Sequence, residues 1–179
     1  MSTRTFLASL GVIASLSLLT TTALATSPSR QRVRELLSGF EGGASHETWA
    51  ALGAETLPVL IDVYNTTSEP PFVRIRAVSA VANFPSEATR TFLRTVATQQ
   101  GQSELLIREA VSSMARAFGE SAEQDLLPFL THASTTVRVG AVRAIATLHT
   151  ENATRALQAR LSLERDAQVR DALTRATSR

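Results

Sequence analysis

Apolar residues recur three and four positions apart along most of the chain, and no stretch alternates strictly between apolar and polar. That spacing predicts amphipathic helices and gives no support to strands. The clearest unit runs from 125 to 148. A short helix (Leu126-Leu127-Pro128-Phe129-Leu130) is followed by a polar turn (Ala133-Ser134-Thr135-Thr136). A second helix starts at Val137-Arg138 and carries Ala141, Ala144, Ile145 and Leu148. Pieces of this unit recur before and after it, so the chain reads as an array of helical hairpins.

In chain order the pattern predicts a helix over 30–40 with Val33, Leu36, Leu37 and Phe40 on one side, broken at Gly42-Gly43. A short helix over 45–52 holds Trp49 and Leu52 and stops at Gly53. Helices follow over 54–64 and 72–84, the first with Pro58 at its start, where the missing N–H is harmless. Pro85 ends the second, and Ser86 opens the next, over 88–98. The helix over 104–118 carries Ile107, Val111, Met114 and Phe118 and stops at Gly119. Ser121 and Gln124 form a capping-box pattern that predicts the start of the central unit. The last two helices cover 151–163 and 166–176.

The second helix of each hairpin starts alike, at Val73-Arg74, Ile107-Arg108, Val137-Arg138 and Val169-Arg170. The arginines are spaced 34, 30 and 32 residues apart. A period in this range predicts a repeat array in which each unit buries its face against its neighbours. Small residues follow each arginine (Ala77, Ala110, Ala141, Ala172), which lets helices approach closely. Leu127-Pro128-Phe129-Leu130 with Val137-Arg138-Val139-Gly140-Ala141 resembles the HEAT repeat pattern L-P-x-L, turn, V-R-x-x-A. Leu57-Pro58-Val59-Leu60 with Val73-Arg74-Ile75-Arg76-Ala77 matches it with a longer turn. The second and fourth units lack L-P, and their alanines are displaced by one place. The likeness is to the short HEAT-like repeats of bacterial proteins and phycobilin lyases, over about 54–179. It implies an all-α chain, a right-handed α-solenoid of about four antiparallel hairpins. It also implies that the V-R arginines act as internal mortar, each pairing with a neighbouring turn or repeat.

The first 25 residues read as an export signal: Arg4, an apolar run over 6–19, and Ala23-Leu24-Ala25 before Thr26. The alternative is an uncleaved anchor, since no charge separates Arg4 from Arg30 and about 20 residues span a bilayer. The small-residue ending favours cleavage, and Ser15, Ser17 and Thr20 to Thr22 dilute the apolar segment. The organisation is then a signal over 1–25, a linker and N-terminal helical cap over 26–53, and repeats over 54–179, with export to the periplasm or beyond. No stable membrane span is expected after cleavage.

Composition narrows the chemistry. There is no Cys, which removes disulfides, thiolate metal sites and a Cys nucleophile. The net charge is only +2, and all 18 basic residues are Arg. The high pI of about 10.3 reflects guanidinium groups that never titrate, so nucleic acid is not the expected partner. His46-Glu47 begins like H-E-x-x-H, but Ala50 stands where the second His belongs. His46, His132 and His149 are dispersed over the array, and no zinc set is expected from them. Phosphate-loop, dinucleotide and nucleophile-elbow motifs are absent. Trp49 suits either an apolar cap over the first hairpin or a stacking platform, and the cap is favoured because buried aromatic area dominates core energetics.

Charge does segregate. The second helices and their first flanking residues hold nine arginines against four carboxylates, and the first helices are acidic by three charges. Setting the four V-R arginines aside as structural shrinks the basic excess to +1. Some of the rest have carboxylates at i, i+4, as Arg175 has Asp171 and Arg155 has Glu151. Arg76, Arg116 and Arg143 remain as candidate binding residues for an acidic partner. The expectation is a non-enzymatic interaction or scaffold module that binds another protein and uses no cofactor. Two rival readings are an accessory enzyme of the HEAT-like lyase type and a structural subunit of an envelope assembly.

Overall fold

The structure, a computed structural model, describes residues 28–39 and 44–178. The expected export segment, Phe40 and the Gly42-Gly43 break lie outside the described residues. Helix α1 is Arg30–Ser38, α2 His46–Ala51, α3 Thr56–Asn65 and α4 Pro71–Ala80. Next come α5 (Glu87–Thr98), α6 (Glu104–Phe118), α7 (Glu123–Leu126), α8 (Thr135–Ala146), α9 (Glu151–Leu163) and α10 (Ala167–Thr177). Among the described residues no strand occurs, so the chain is all-α. No helix there is long and apolar enough to cross a membrane.

The helix starts follow from short polar side chains. Ser29, Ser45, Ser86, Ser134 and Thr150 each accept a hydrogen bond from the amide three residues on. Asp166 accepts from the amides of both Gln168 and Val169. Each such cap satisfies a first-turn N–H that has no helical partner. Because Ser134 is the cap, α8 starts at Thr135, two residues before the expected Val137. Pro71 stands at the first position of α4, where its fixed φ is already helical.

Three expectations need correction. Helix α4 does not run to Phe84 but tightens at Val81–Asn83 into a 3-10 turn. The Asn83 amide donates to Ala80 O at 2.9 Å, and Phe84 is pushed off helical geometry by Pro85. The Ser121–Gln124 capping box does not form. Ser121 sits inside a 3-10 turn, Gly119–Ala122, and its hydroxyl donates to Phe118 O at 2.8 Å. The expected short helix over Leu126–Leu130 is not α-helical: α7 ends at Leu126 and the chain continues as a 3-10 turn, Leu127–Thr131. Pro128 explains this, since it has no N–H to give to the α-helical ladder and its ring crowds the preceding turn.

The second helices are neighbours in chain order: α4 lies against α6, α6 against α8, and α8 against α10. Each also packs on the helix before it, α3 on α4, α5 on α6, the Leu127–Thr131 turn on α8, and α9 on α10. Helix α1 closes the other end against α3 and α4. One continuous core runs from Val33 to Leu173 through Leu60, Val73, Leu93, Met114, Leu126 and Ile145, all fully buried. Each such side chain contributes roughly 1.5–3 kcal/mol on burial. Trp49 belongs to this core, only 4% exposed, which is the position of an apolar cap.

Candidate functional site

The V-R arginines sit one turn into each second helix, beside the end of the preceding first helix. There the last carbonyls lack helical partners and carry partial negative charge. Arg74 Nε donates to Tyr64 O at 2.8 Å, with its guanidinium 5.2 Å from the Tyr64 ring centroid. Arg138 Nη1 donates to His132 O and Ala133 O, both at 2.9 Å, and Arg170 Nη1 to Glu164 O at 3.1 Å. Arg108 differs. Among the described residues its guanidinium has no such bond, and its stem lies across Gly140, where a Cβ would fall 2.5 Å from Arg108 Cγ.

Arg138 has a further anchor in Glu164. It is 26 residues beyond Arg138 and bonds Arg138 Nε at 3.0 Å across the boundary between two hairpins. It also accepts from Arg160 Nη2 at 2.6 Å and from the amides of Arg165 and Asp166, each at 3.0 Å. Burial alone would push this carboxyl up, but the Asp166 amide, Arg160, Arg138 and the Arg165 amide together hold it down, at about 2. The residue at the same distance beyond Arg108 is Ser134, a helix cap with no charge to offer.

The first helices are tied to one another by acids. Asp125 on α7 accepts from Arg90 Nη1 and Arg94 Nε of α5, both at 2.6 Å. Glu123, on the same short helix, reaches forward to Thr150 and to Asn152 Nδ2 at the start of α9. The Thr150 hydroxyl, then the Asn152 amide, lower the Glu123 carboxyl below its ordinary range. At the N-terminal end Glu69 is buried and takes Arg34 Nε at 2.9 Å and Arg30 Nη2 at 3.3 Å. Arg34, then Arg30, hold Glu69 low against its burial. Glu123 and Asp125 are thus engaged inside the molecule, while Glu55, Asp62, Glu87, Glu120 and Glu151 stay exposed. Neither Glu69 nor Glu164 stands out in the sequence, since each lies in a turn outside any recurring motif. The detectable signal for Glu164 is its distance from a V-R arginine, just short of one repeat.

Of the three candidate arginines, two converge and one lies apart. Arg76 Nη1 donates to Leu37 O at 2.8 Å and Gly39 O at 2.7 Å, joining α4 to the end of α1. Arg116 Nη2 donates to Ser79 Oγ at 2.8 Å, Ser113 Oγ at 2.9 Å and Glu109 Oε1 at 3.1 Å, joining α6 to α4. Both line one small cleft of about 170 Å³ that also touches Trp49 and Asn83. Arg143 is exposed in the last turn of α8 and lines a different cleft, of about 710 Å³, between α8, α9 and α10. Arg175 lines the same cleft. The expected Asp171–Arg175 ion pair is absent, whereas Glu151 and Arg155 do approach, at 3.9 Å. Among the described residues no cluster of His, Cys, Asp or Glu could hold a metal ion. No protein-family model matches the chain, and no curated protein matches it.

Proposed function

We propose that this chain is an exported, non-enzymatic HEAT-like repeat protein, a right-handed α-solenoid of about four hairpins that binds another protein. The observation that carries the reading is the order of helix neighbours. Each second helix lies against the next, and each is backed by its own first helix. Such a row leaves a long side of the second helices free for a partner, with no cofactor between. Three V-R arginines fastened to the ends of first helices agree with the mortar role that the resemblance implies. Export rests on the residue pattern of the first 25 positions.

The test is affinity capture from a bacterial envelope extract, with residues 26–179 as bait. The expected result is a partner retained in stoichiometric amount through salt washes and absent from a heat-unfolded bait. Retention of nothing beyond the unfolded control overturns the interaction reading.

A further inference from the structure

We propose that the cleft between α8, α9 and α10 is the docking site, and that it takes an acidic peptide segment of the partner with an apolar side chain among its carboxylates. This rests on the interaction reading and gives it a place and a chemistry. Six positions after the Val or Ile of each V-R pair stand Ser79, Ser113, Arg143 and Arg175. In the first two units these places are small hydroxyls, and Arg116 bonds both. In the last two they are arginines, both exposed, and no ion pair reaches either among the described residues.

Their position in the last turns of α8 and α10 complements the helix dipoles, and that alone would account for two cations. It does not account for the space they border. The cleft of about 710 Å³ presents the partly exposed Ala146 and Ala176 over the buried Val142 and Leu157, and none of its lining residues is acidic. A cavity of this size with an apolar floor and a few polar groups at its edge is the ordinary form of a ligand site. The guanidinium forks are carried on neighbouring helices, whose axes lie roughly 8–10 Å apart in such packing. Two carboxylates on one peptide match two forks better than the single head group of a fatty acid, because planar guanidinium binds carboxylate in pairs of bonds.

The edge of the cleft adds a second observation. Among the described residues Gly53, Gly101 and Gly119 adopt positive φ, as glycine does freely, but the fourth residue there is His149, at φ 54°. Glycine is the usual residue after a helix at such a φ, and a side chain is retained here against the steric preference of L residues. His149 lines the cleft.

The test is an array of acetylated hexapeptides, each with Glu or Asp at two positions and Leu, Ile or Phe between them, titrated against the full chain by fluorescence anisotropy. Glutamine and asparagine analogues serve as controls, with dodecanoate as a small amphiphile. The expected result is that acidic members bind and amide analogues do not. Binding should fall at least tenfold in Arg143→Glu/Arg175→Glu, with helicity unchanged and the melting temperature lowered only slightly by the two reversed last-turn charges. Ala146→Phe, which crowds the floor and leaves both guanidinium groups in place, should also weaken it. No acidic member binding above its amide analogue overturns the proposal, as does equal binding by the arginine variant. Dodecanoate binding with the same arginine dependence, while no peptide binds, replaces the peptide with a small amphiphile and also overturns it. Envelope capture separates the two readings. A partner held equally by the wild type and the arginine variant leaves the interaction reading standing and removes the cleft.

Discussion

The two halves of the second-helix row use arginine in opposite ways. In α4 and α6, Arg76 and Arg116 reach across to a neighbouring helix and end on carbonyls, hydroxyls and Glu109. In α8 and α10, Arg143 and Arg175 stand over an open cleft with no acid in its lining. The contrast follows from the residues available to receive a guanidinium. Ser79 and Ser113 are short enough to admit Arg116 between the helices, and Ser113 is fully buried beneath it. Where arginine itself occupies that register there is nothing to receive it, and the side chain turns outward. Lying on a second helix therefore does not assign a role to an arginine, whereas the residue facing it does.

The comparison can be tested by substitution. The largest effect belongs to Glu164, the acid that holds the last two hairpins together. Glu164→Ala strands Arg138 and is expected to destabilise by about 3–5 kcal/mol in urea unfolding. Its acid signature follows from the direction of its shift. The folded carboxyl is held at about 2, below its ordinary value of 4.5, so the unfolded chain takes up the proton first as pH falls. Stability from this group is full above about pH 5 and drains away toward pH 2. Glu164→Gln should flatten that part of the pH profile, and an unchanged profile would remove Glu164 as its source.

Next is Arg116→Ala, expected to cost about 1–2 kcal/mol, because it removes a charged donor shared by several acceptors at a partly exposed site. His149→Gly should act in the other direction and stabilise by about 1 kcal/mol by releasing a strained backbone. On the proposal above, it should do so without improving peptide binding. For Gly140, a double-mutant cycle with Arg108→Ala is expected to show coupling of about 1 kcal/mol. Gly140→Ala should be unfavourable while the Arg108 stem covers it and favourable once that stem is gone, since alanine is the better helix former. Smallest of all, Arg143→Ala and Arg175→Ala should each change stability by less than about 0.5 kcal/mol. A loss above 1 kcal/mol from either would mean that it is structural after all and would erase the contrast between the halves.

Much of the helical layout was legible in the sequence, because it is written in local signals. The bounds of α6 and α9 follow directly from apolar spacing and from stops such as Gly119. The central first helix was less legible. Ser121 and Gln124 have the spacing of a capping box, but Gly119 and Pro128 hold that stretch in 3-10 geometry, where the box has no extended residue to start from. The site was legible only in part. Arg143 could be singled out because no carboxylate stands near it in sequence. Arg175 was discounted on the strength of Asp171 at i, i+4, yet that spacing gives proximity and not a bond, and the Arg175 side chain borders the cleft instead. Arg76 and Arg116 looked free for the opposite reason, since they reach backbone carbonyls and Ser79 37 to 39 residues away, and the acid of Arg116, Glu109, stands seven residues off rather than at i, i+4.

Those separations have a kinetic consequence. The longest side-chain hydrogen bond among the described residues spans 39 residues, about one repeat and a fraction. Loop closure over such distances is entropically mild, and chains dominated by near-neighbour contacts fold fast. Each hairpin can therefore set as soon as the one before it is in place, without waiting for the two ends of the chain to meet. Helix α9 buries only Ala153 and Leu157, against seven residues in α8, so α9 and α10 should loosen before α8 on heating. A ligand seated in the α8–α10 cleft would raise the melting temperature chiefly by holding that final pair down.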